Sequence, residues 1–111
     1  MDQTTKYADI LTQVIRAQSQ LQFRTIPRLK QVSSCDPETG QFLLIMIGWD
    51  NRKRWHHSIT FHAQLIDGKV RIEADMTEGL KPQLLEAGIR AEDFLDDRDY
   101  DYSQAARAVA V

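Results

Sequence analysis

The first twenty residues repeat their apolar positions with the period of an α-helix. Between Thr5 and Leu21 the apolar side chains fall at i, i+3, i+4, i+7 and i+8, and polar side chains take the opposite side. Thr4 or Thr5 is placed to cap the helix through a side-chain oxygen, and the run Thr25-Ile26-Pro27 ends it. The pattern predicts an amphipathic helix that packs one side on a core.

Two runs of strand-forming residues follow, with a turn between them. Leu29 to Ser33 reads as a first strand, and the cluster from Asp36 to Gly40 is typical of a turn. The next strand, Phe42 to Ile47, is apolar at every position instead of alternating. A strand of this kind needs cover on both faces of its sheet, which predicts a central strand. Because the chain is short, we expect another subunit to provide the second cover in a homo-oligomer.

The dipeptide Asp67-Gly68 predicts a type I′ turn that sets the register of a second hairpin. Counting outward from Ile66 and Lys69 gives one apolar face and one polar face. The apolar pairs are Leu65 with Val70, Ala63 with Ile72 and Phe61 with Ala74. The polar pairs, here named the polar ladder, are Gln64 with Arg71, His62 with Glu73 and Thr60 with Asp75. Such pairs lie within reach of cross-strand hydrogen bonds, so we expect this face to be wet or to contact something polar.

The last apolar positions predict a short second helix. Thr77 is its expected cap, Pro82 is tolerated near its start, and Gly88 ends it. Residues 91 to 95 are expected to form another helical turn. The predicted architecture is α+β, with an N-terminal helix, a four-stranded mainly antiparallel sheet and a short C-terminal helix, in one domain over residues 1–111.

Charge and cysteine content exclude several classes of protein. A net charge of −2 argues against holding nucleic acid by bulk electrostatics. No apolar stretch approaches the length of a membrane span and the N-terminus lacks a signal-peptide pattern, so we expect a soluble, cytoplasmic protein. The single Cys35 forms neither an internal disulfide nor a thiolate zinc site.

Three histidines suggest a metal site or acid–base chemistry. Strand alternation places His56 and His62 on one face, about 20 Å apart, and His57 on the other, which argues against metal binding. His62 opposite Glu73 forms either an orienting pair of the kind that catalysis uses or a surface ion pair. Because the sequence has no phosphate-binding glycine loop and no nucleophile elbow, we expect no catalytic residue, metal or cofactor.

A basic loop flanked by two tryptophans is the other candidate site. Trp49 and Trp55 would cap the core, stack on a nucleic-acid base or contact a protein. The loop is basic, whereas the run from Glu92 to Asp101 is acidic. The loop cations form either a solvated surface or a docking site for an acidic partner. The candidate partner-contact residues are Trp49, Asp50, Arg52, Lys53, Arg54, His62, Gln64, Arg71 and Glu73.

An ordered set of segments resembles the XisI family of cyanobacteria, which is named for a factor that controls excision of the fdxN element. The resemblance covers about residues 4 to 95. Its segments are Phe42-Leu43-Leu44-Ile45-Met46-Ile47-Gly48-Trp49-Asp50, Arg54, His57, His62, Ile66-Asp67-Gly68-Lys69-Val70-Arg71-Ile72-Glu73, Thr77-Glu78-Gly79-Leu80 and Leu85-Glu86-Ala87-Gly88-Ile89. Family members tend to carry His-Pro-Pro-Glu after the last strand, whereas here Phe94-Leu95 precedes Asp96-Asp97-Arg98-Asp99.

The resemblance implies a small α+β protein without catalytic residues of its own. It implies action with a nuclease-like companion, XisH, in recombinase-mediated excision of a DNA element during heterocyst differentiation. From the net charge of −2 we expect DNA to be contacted at most indirectly. Two alternatives remain open from the residues. One is a small enzyme that uses His62 and Glu73, and the other is a direct DNA-binding protein that uses the loop from Arg52 to Arg54.

Overall fold

The computed structural model describes residues 2–21, 23, 25–77 and 79–95 of this chain. Helices pack on one face of a five-stranded sheet whose strands follow one another in chain order. The elements are α1 (Gln3–Ser19), β1 (Leu29–Asp36), β2 (Gln41–Trp49), β3 (Trp55–Ile66), β4 (Lys69–Asp75), α2 (Leu80–Ala87), a 3₁₀ turn (Ala91–Asp93) and β5 (Phe94–Leu95). The first four strands pair antiparallel, and β5 runs parallel to β4.

The α+β class, the N-terminal helix and the short later helix are therefore confirmed. The expected helical turn over residues 91 to 95 is half right, because a 3₁₀ turn forms but its last two residues add a fifth strand to the sheet. Among the described residues, no helix is long and apolar enough to cross a membrane.

Both predicted helix caps are wrong. Helix α1 begins earlier than expected, and the Asp2 carboxylate caps it by accepting the Thr5 backbone N–H at 2.8 Å. Helix α2 begins after Gly79 without a side-chain cap, because Thr77 donates its own N–H and hydroxyl to the Asp75 carboxylate. The predicted end of α2 at Gly88 is confirmed, with φ at 124°.

The core lies between the two helices and the sheet face that they cover, which we call the inner face. The chain's two described ends meet in it: the Tyr7 hydroxyl donates to the Asp93 carboxylate at 2.5 Å and accepts the Arg90 backbone N–H at 3.2 Å. The largest fully buried side chains are Tyr7, Phe42, Phe61, Leu11, Ile15, Leu44, Leu80, Leu84, Ile89 and Val70.

The second hairpin follows the predicted register only near its turn. The pairs from Ile66 with Lys69 to Ala63 with Ile72 are as predicted. Beyond them a β-bulge shifts the register, because Glu73 is an extra residue on β4. His62 therefore faces Ala74 instead of Glu73, and Phe61 faces Asp75 instead of Ala74. The predicted pair of Thr60 with Asp75 is also wrong.

A second bulge, at Thr60, separates the two halves of β3. Leu44 pairs with Phe61 and Ile45 pairs with Ile59, so Thr60 has no counterpart on β2, and its hydroxyl donates to the Leu44 carbonyl at 3.2 Å. The extra residue reverses the side-chain alternation. His57 and His62 consequently share the face that points away from α1, here named the outer face, and the prediction that His56 shares it with His62 is wrong.

Strand β2 has one buried side and one partly exposed side. Phe42 and Leu44 are fully buried on the inner face. On the outer face Leu43, Ile45 and Ile47 are only half-buried, and in the described part of the chain the helices pack on the inner face alone. β2 lies inside the sheet, as predicted, but the source of the second cover remains a prediction.

Candidate functional site

The loop between β2 and β3 folds around the carboxylate of Asp50. One carboxylate oxygen accepts the backbone N–H groups of Arg52 at 2.8 Å and Arg54 at 2.9 Å. The other accepts the Arg54 side-chain Nε at 3.2 Å and lies 2.8 Å from Nε2 of His56. Two backbone hydrogen bonds, Asp50 N–H to the Arg54 carbonyl and Lys53 N–H to the Asp50 carbonyl, close the turn. The Asp50 side chain and these backbone bonds together hold the loop in shape.

These contacts also determine the charge of the loop. The hydrogen bond with His56, followed by that from the Arg54 backbone N–H, lowers the pKa of Asp50 well below its usual value of 3.8. Asp50 is therefore ionised at neutral pH and pairs with Arg54. Within the described ranges no ion-pair partner meets the exposed side chains of Arg52 and Lys53. The loop presents these two cations to its surroundings.

Two tryptophans form the base of the loop. Trp49 ends β2 and Trp55 begins β3; the two are paired in the sheet, with ring centroids 5.2 Å apart and planes inclined by 67°. Their exposed fractions are 45% and 54%. The expectation that they cap the core is wrong, since both occupy outer-face positions in line with Ile47. Aromatic surface therefore lies directly beside the two cations.

The polar ladder is built differently from the prediction. Nε2 of His62 lies 2.7 Å from the Gln41 amide oxygen, and Gln64 donates its amide to the same oxygen at 3.4 Å. Gln64 faces Arg71 as predicted, and Arg71 lies 3.9 Å from the Glu73 carboxylate along its own strand. Sequence reasoning missed Gln41, because it lies opposite Gln64 only after the bulge at Thr60 shifts the register between β2 and β3 by one residue.

The predicted contact residues form two separate groups. The loop group lies at the start of β3 and the ladder group near its end, about 20 Å or more apart along the strand. The loop group comprises Trp49, Asp50, Arg52, Lys53 and Arg54, and the ladder group comprises His62, Gln64, Arg71 and Glu73. The outer-face apolar residues of β2 and β3 lie between them. One compact partner segment would reach one group and not both.

The histidine that meets a carboxylate is His56, not His62. His62 faces Ala74 and contacts a neutral amide, so the predicted pair with Glu73 that a catalytic histidine would use is not formed. Across residues 2–21, 23, 25–77 and 79–95 no group of three histidine, cysteine or acidic side chains is placed to hold a metal ion.

Comparisons with known proteins agree with this fold. The family model described as XisI protein matches residues 1–96. The crystal structure of the fdxN element excision controlling factor XisI from Anabaena variabilis is 25% identical, with a TM-score of 0.68 over 89% of each chain. The structure of a XisI-like protein from the same organism is 16% identical, with a TM-score of 0.71 over 90% of this chain and 91% of the other. No curated protein matched. This chain belongs to the XisI protein family.

Proposed function

We propose that this protein is a non-enzymatic accessory factor that binds a nuclease-like companion of the XisH type. In this role it acts in the cytoplasm, in recombinase-mediated excision of the fdxN element during heterocyst differentiation. Two findings support the proposal: the family match over residues 1–96, and the 25% identity to a protein named as the controlling factor of that excision.

The observation that carries the proposal is the preformed loop at Asp50. A loop already held by side-chain and backbone hydrogen bonds loses little conformational entropy when a partner docks on it. Arginine and tryptophan are also the residues most enriched among those that dominate binding energy at protein interfaces. The exposed tryptophans and the cations Arg52 and Lys53 therefore suit a partner surface that is acidic at its rim and apolar at its centre.

Reversing the charges of Arg52 and Lys53 is expected to weaken capture of the XisH-like companion about tenfold or more, because the reversed charges would repel an acidic surface. Arg54 stays unchanged in this variant, since its guanidinium binds Asp50 and helps to shape the loop. Biolayer interferometry with the companion immobilised would measure the dissociation constant.

The matched control reverses Lys6 and Arg16, which are exposed on α1 and give the same change in net charge. This control should retain affinity within about threefold at physiological salt, where charges beyond roughly 8 Å are screened. Equal weakening by both variants would indicate a long-range charge effect, and unchanged binding by the loop variant would remove the loop from the interface.

The isolated protein is expected to bind duplex DNA poorly. Arg52 and Lys53 would contact phosphates at the loop, but the net charge of −2 supplies no long-range attraction to a polyanion. A fluorescence titration of labelled duplex at about 150 mM salt should show no binding at low micromolar protein. Tight binding that disappears when Arg52 and Lys53 are reversed would make this protein a direct DNA binder instead.

A further inference from the structure

The outer face of the sheet carries an apolar patch that no described helix covers. Val32 pairs with Ile45, and Ile45 pairs with Ile59, so one apolar row crosses β1, β2 and β3. Val32 is 46% exposed and Ile59 is 45% exposed. Leu43 and Ile47 extend the row to both sides along β2. Exposed apolar side chains scattered singly are ordinary, whereas a contiguous patch of this kind marks an interaction surface.

On the outer face, the charged side chains of the described residues lie around this patch and not within it. The outer-face positions of β1 begin with Lys30, continue through Val32 and Ser34, and end with Asp36. The face therefore carries a positive charge at one end of its edge strand and a negative charge at the other. A partner of a single charge sign would match one end and oppose the other.

We propose that a second copy of this chain covers the outer face and forms a two-fold symmetric dimer, sheet against sheet. A two-fold axis that runs across the strands, along the row of Val32, Ile45 and Ile59, reverses the strand direction of the second copy. This operation sets the Lys30 end of each copy over the Asp36 end of the other. It also stacks the apolar row on itself with nearly aligned strands, as packed sheets require.

The size of the face fits a dimer interface. Outer-face positions on β2 run from Gln41 to Trp49, about 27 Å at the usual rise per residue, and β1 to β4 give a width of about 20 Å with their side chains. The projected area is thus roughly 500 Å², and the accessible area of protruding side chains is larger than their projection. A stable interface takes about 800 Å² from each partner.

The dimer and the proposed companion surface overlap only at Trp49 and Trp55, which lie at the rim of the outer face. The cations Arg52 and Lys53 lie in the loop past the end of the paired strands, so the second sheet leaves them accessible. The two inferences therefore fail independently: a monomer that captures the companion would overturn only the dimer, and a dimer that ignores the companion would overturn only the proposed function.

The test is the mass of the full chain in solution, by light scattering coupled to size exclusion. At about 50 µM the protein should have twice the chain mass of 12.8 kDa. Ile59→Lys should weaken the dimer at least about 100-fold and give a monomer, because it places a charge at the centre of the interface. Leu85→Lys is the matched control: Leu85 is 39% exposed, lies on α2 away from the outer face, and should leave the dimer intact.

Tryptophan emission provides a second readout. Both tryptophans of the chain lie at one end of the outer face, so dilution of the wild type should shift their emission to the red with the same midpoint as the mass. If circular dichroism shows that Ile59→Lys does not fold, Val32→Lys on the edge strand takes its place. A wild type that is monomeric at about 50 µM, or a dimer that survives the folded outer-face variant, overturns the proposal.

Discussion

Replacing Gly48 with alanine is expected to lower the free energy of unfolding by about 3 kcal/mol or more. Gly48 has a φ of 131°, and an added Cβ would overlap the carbonyl oxygen of Arg28 and lie 3.1 Å from the Leu29 Cα. That oxygen accepts the Trp49 backbone N–H at 3.1 Å. It cannot withdraw without breaking the contact that joins β1 to the base of the loop. Urea denaturation would measure the loss.

Gly79→Ala serves as the control for this substitution. Gly79 has a φ of −153°, and the nearest heavy atom to an added Cβ is the flexible Gln83 amide at 3.9 Å. Alanine at a helix cap is a poor residue, so a loss of about 1 kcal/mol or less is expected. Equal losses at the two glycines would mean that the crowding at Gly48 is relieved by a movement of the backbone.

Sequence periodicity predicted the elements well where the signal is local. The apolar spacing of α1 and the Asp67-Gly68 turn each depend on neighbouring residues, and both were correct in kind. The register failed at Glu73 and Thr60, where one extra residue enters a strand. Alternation of apolar and polar residues cannot reveal a bulge, because the position of a bulge depends on the twist and packing of the whole sheet.

Contacts between distant parts of the chain could not be predicted from the sequence for a related reason. Nothing in the pattern around Tyr7 indicates that its hydroxyl meets Asp93, since the pairing depends on where the chain after α2 crosses the core. The side-chain amide of Gln3 likewise donates to the Gly68 carbonyl at 2.7 Å, which ties the start of α1 to the hairpin turn. Such contacts follow from the docked positions of elements, which periodicity leaves open.

The candidate site also has features that the local sequence predicted and features that depend on the pairing of strands. The sequence identified the basic loop and its flanking tryptophans, because these cations and aromatic residues are neighbours along the chain. It did not identify His56 as the partner of Asp50, because this contact requires the β2–β3 register that pairs Gly48 with His56. The acidic residues from Asp96 to Asp101 lie outside the described residues.

Removing the carboxylate of Asp50 is expected to open the loop that it holds. Asp50→Ala loses every hydrogen bond that the side chain accepts, whereas Asp50→Asn keeps an oxygen for the backbone N–H groups of Arg52 and Arg54. The alanine variant should therefore be cut by trypsin after Arg52, Lys53 or Arg54 about tenfold faster than the wild type, and the asparagine variant at an intermediate rate. Companion capture should fall in the same order.

Acid should remove the contribution of the Asp50 carboxylate to the stability of the folded protein. Because hydrogen bonds from His56 and the Arg54 backbone lower the pKa of Asp50 in the folded protein, its stabilising contribution is complete above the usual value of 3.8 and is lost as the pH falls through the lower, folded pKa. The difference in urea midpoint between wild type and Asp50→Asn should therefore be present at about pH 5 and shrink below pH 3.8. Asp75, which accepts two hydrogen bonds from Thr77 outside the loop, supplies the control variant Asp75→Asn, whose trypsin cleavage in the loop should match the wild type. A midpoint difference that does not change with pH, or loop cleavage as slow in Asp50→Ala as in the wild type, would contradict the role of this carboxylate in shaping the loop.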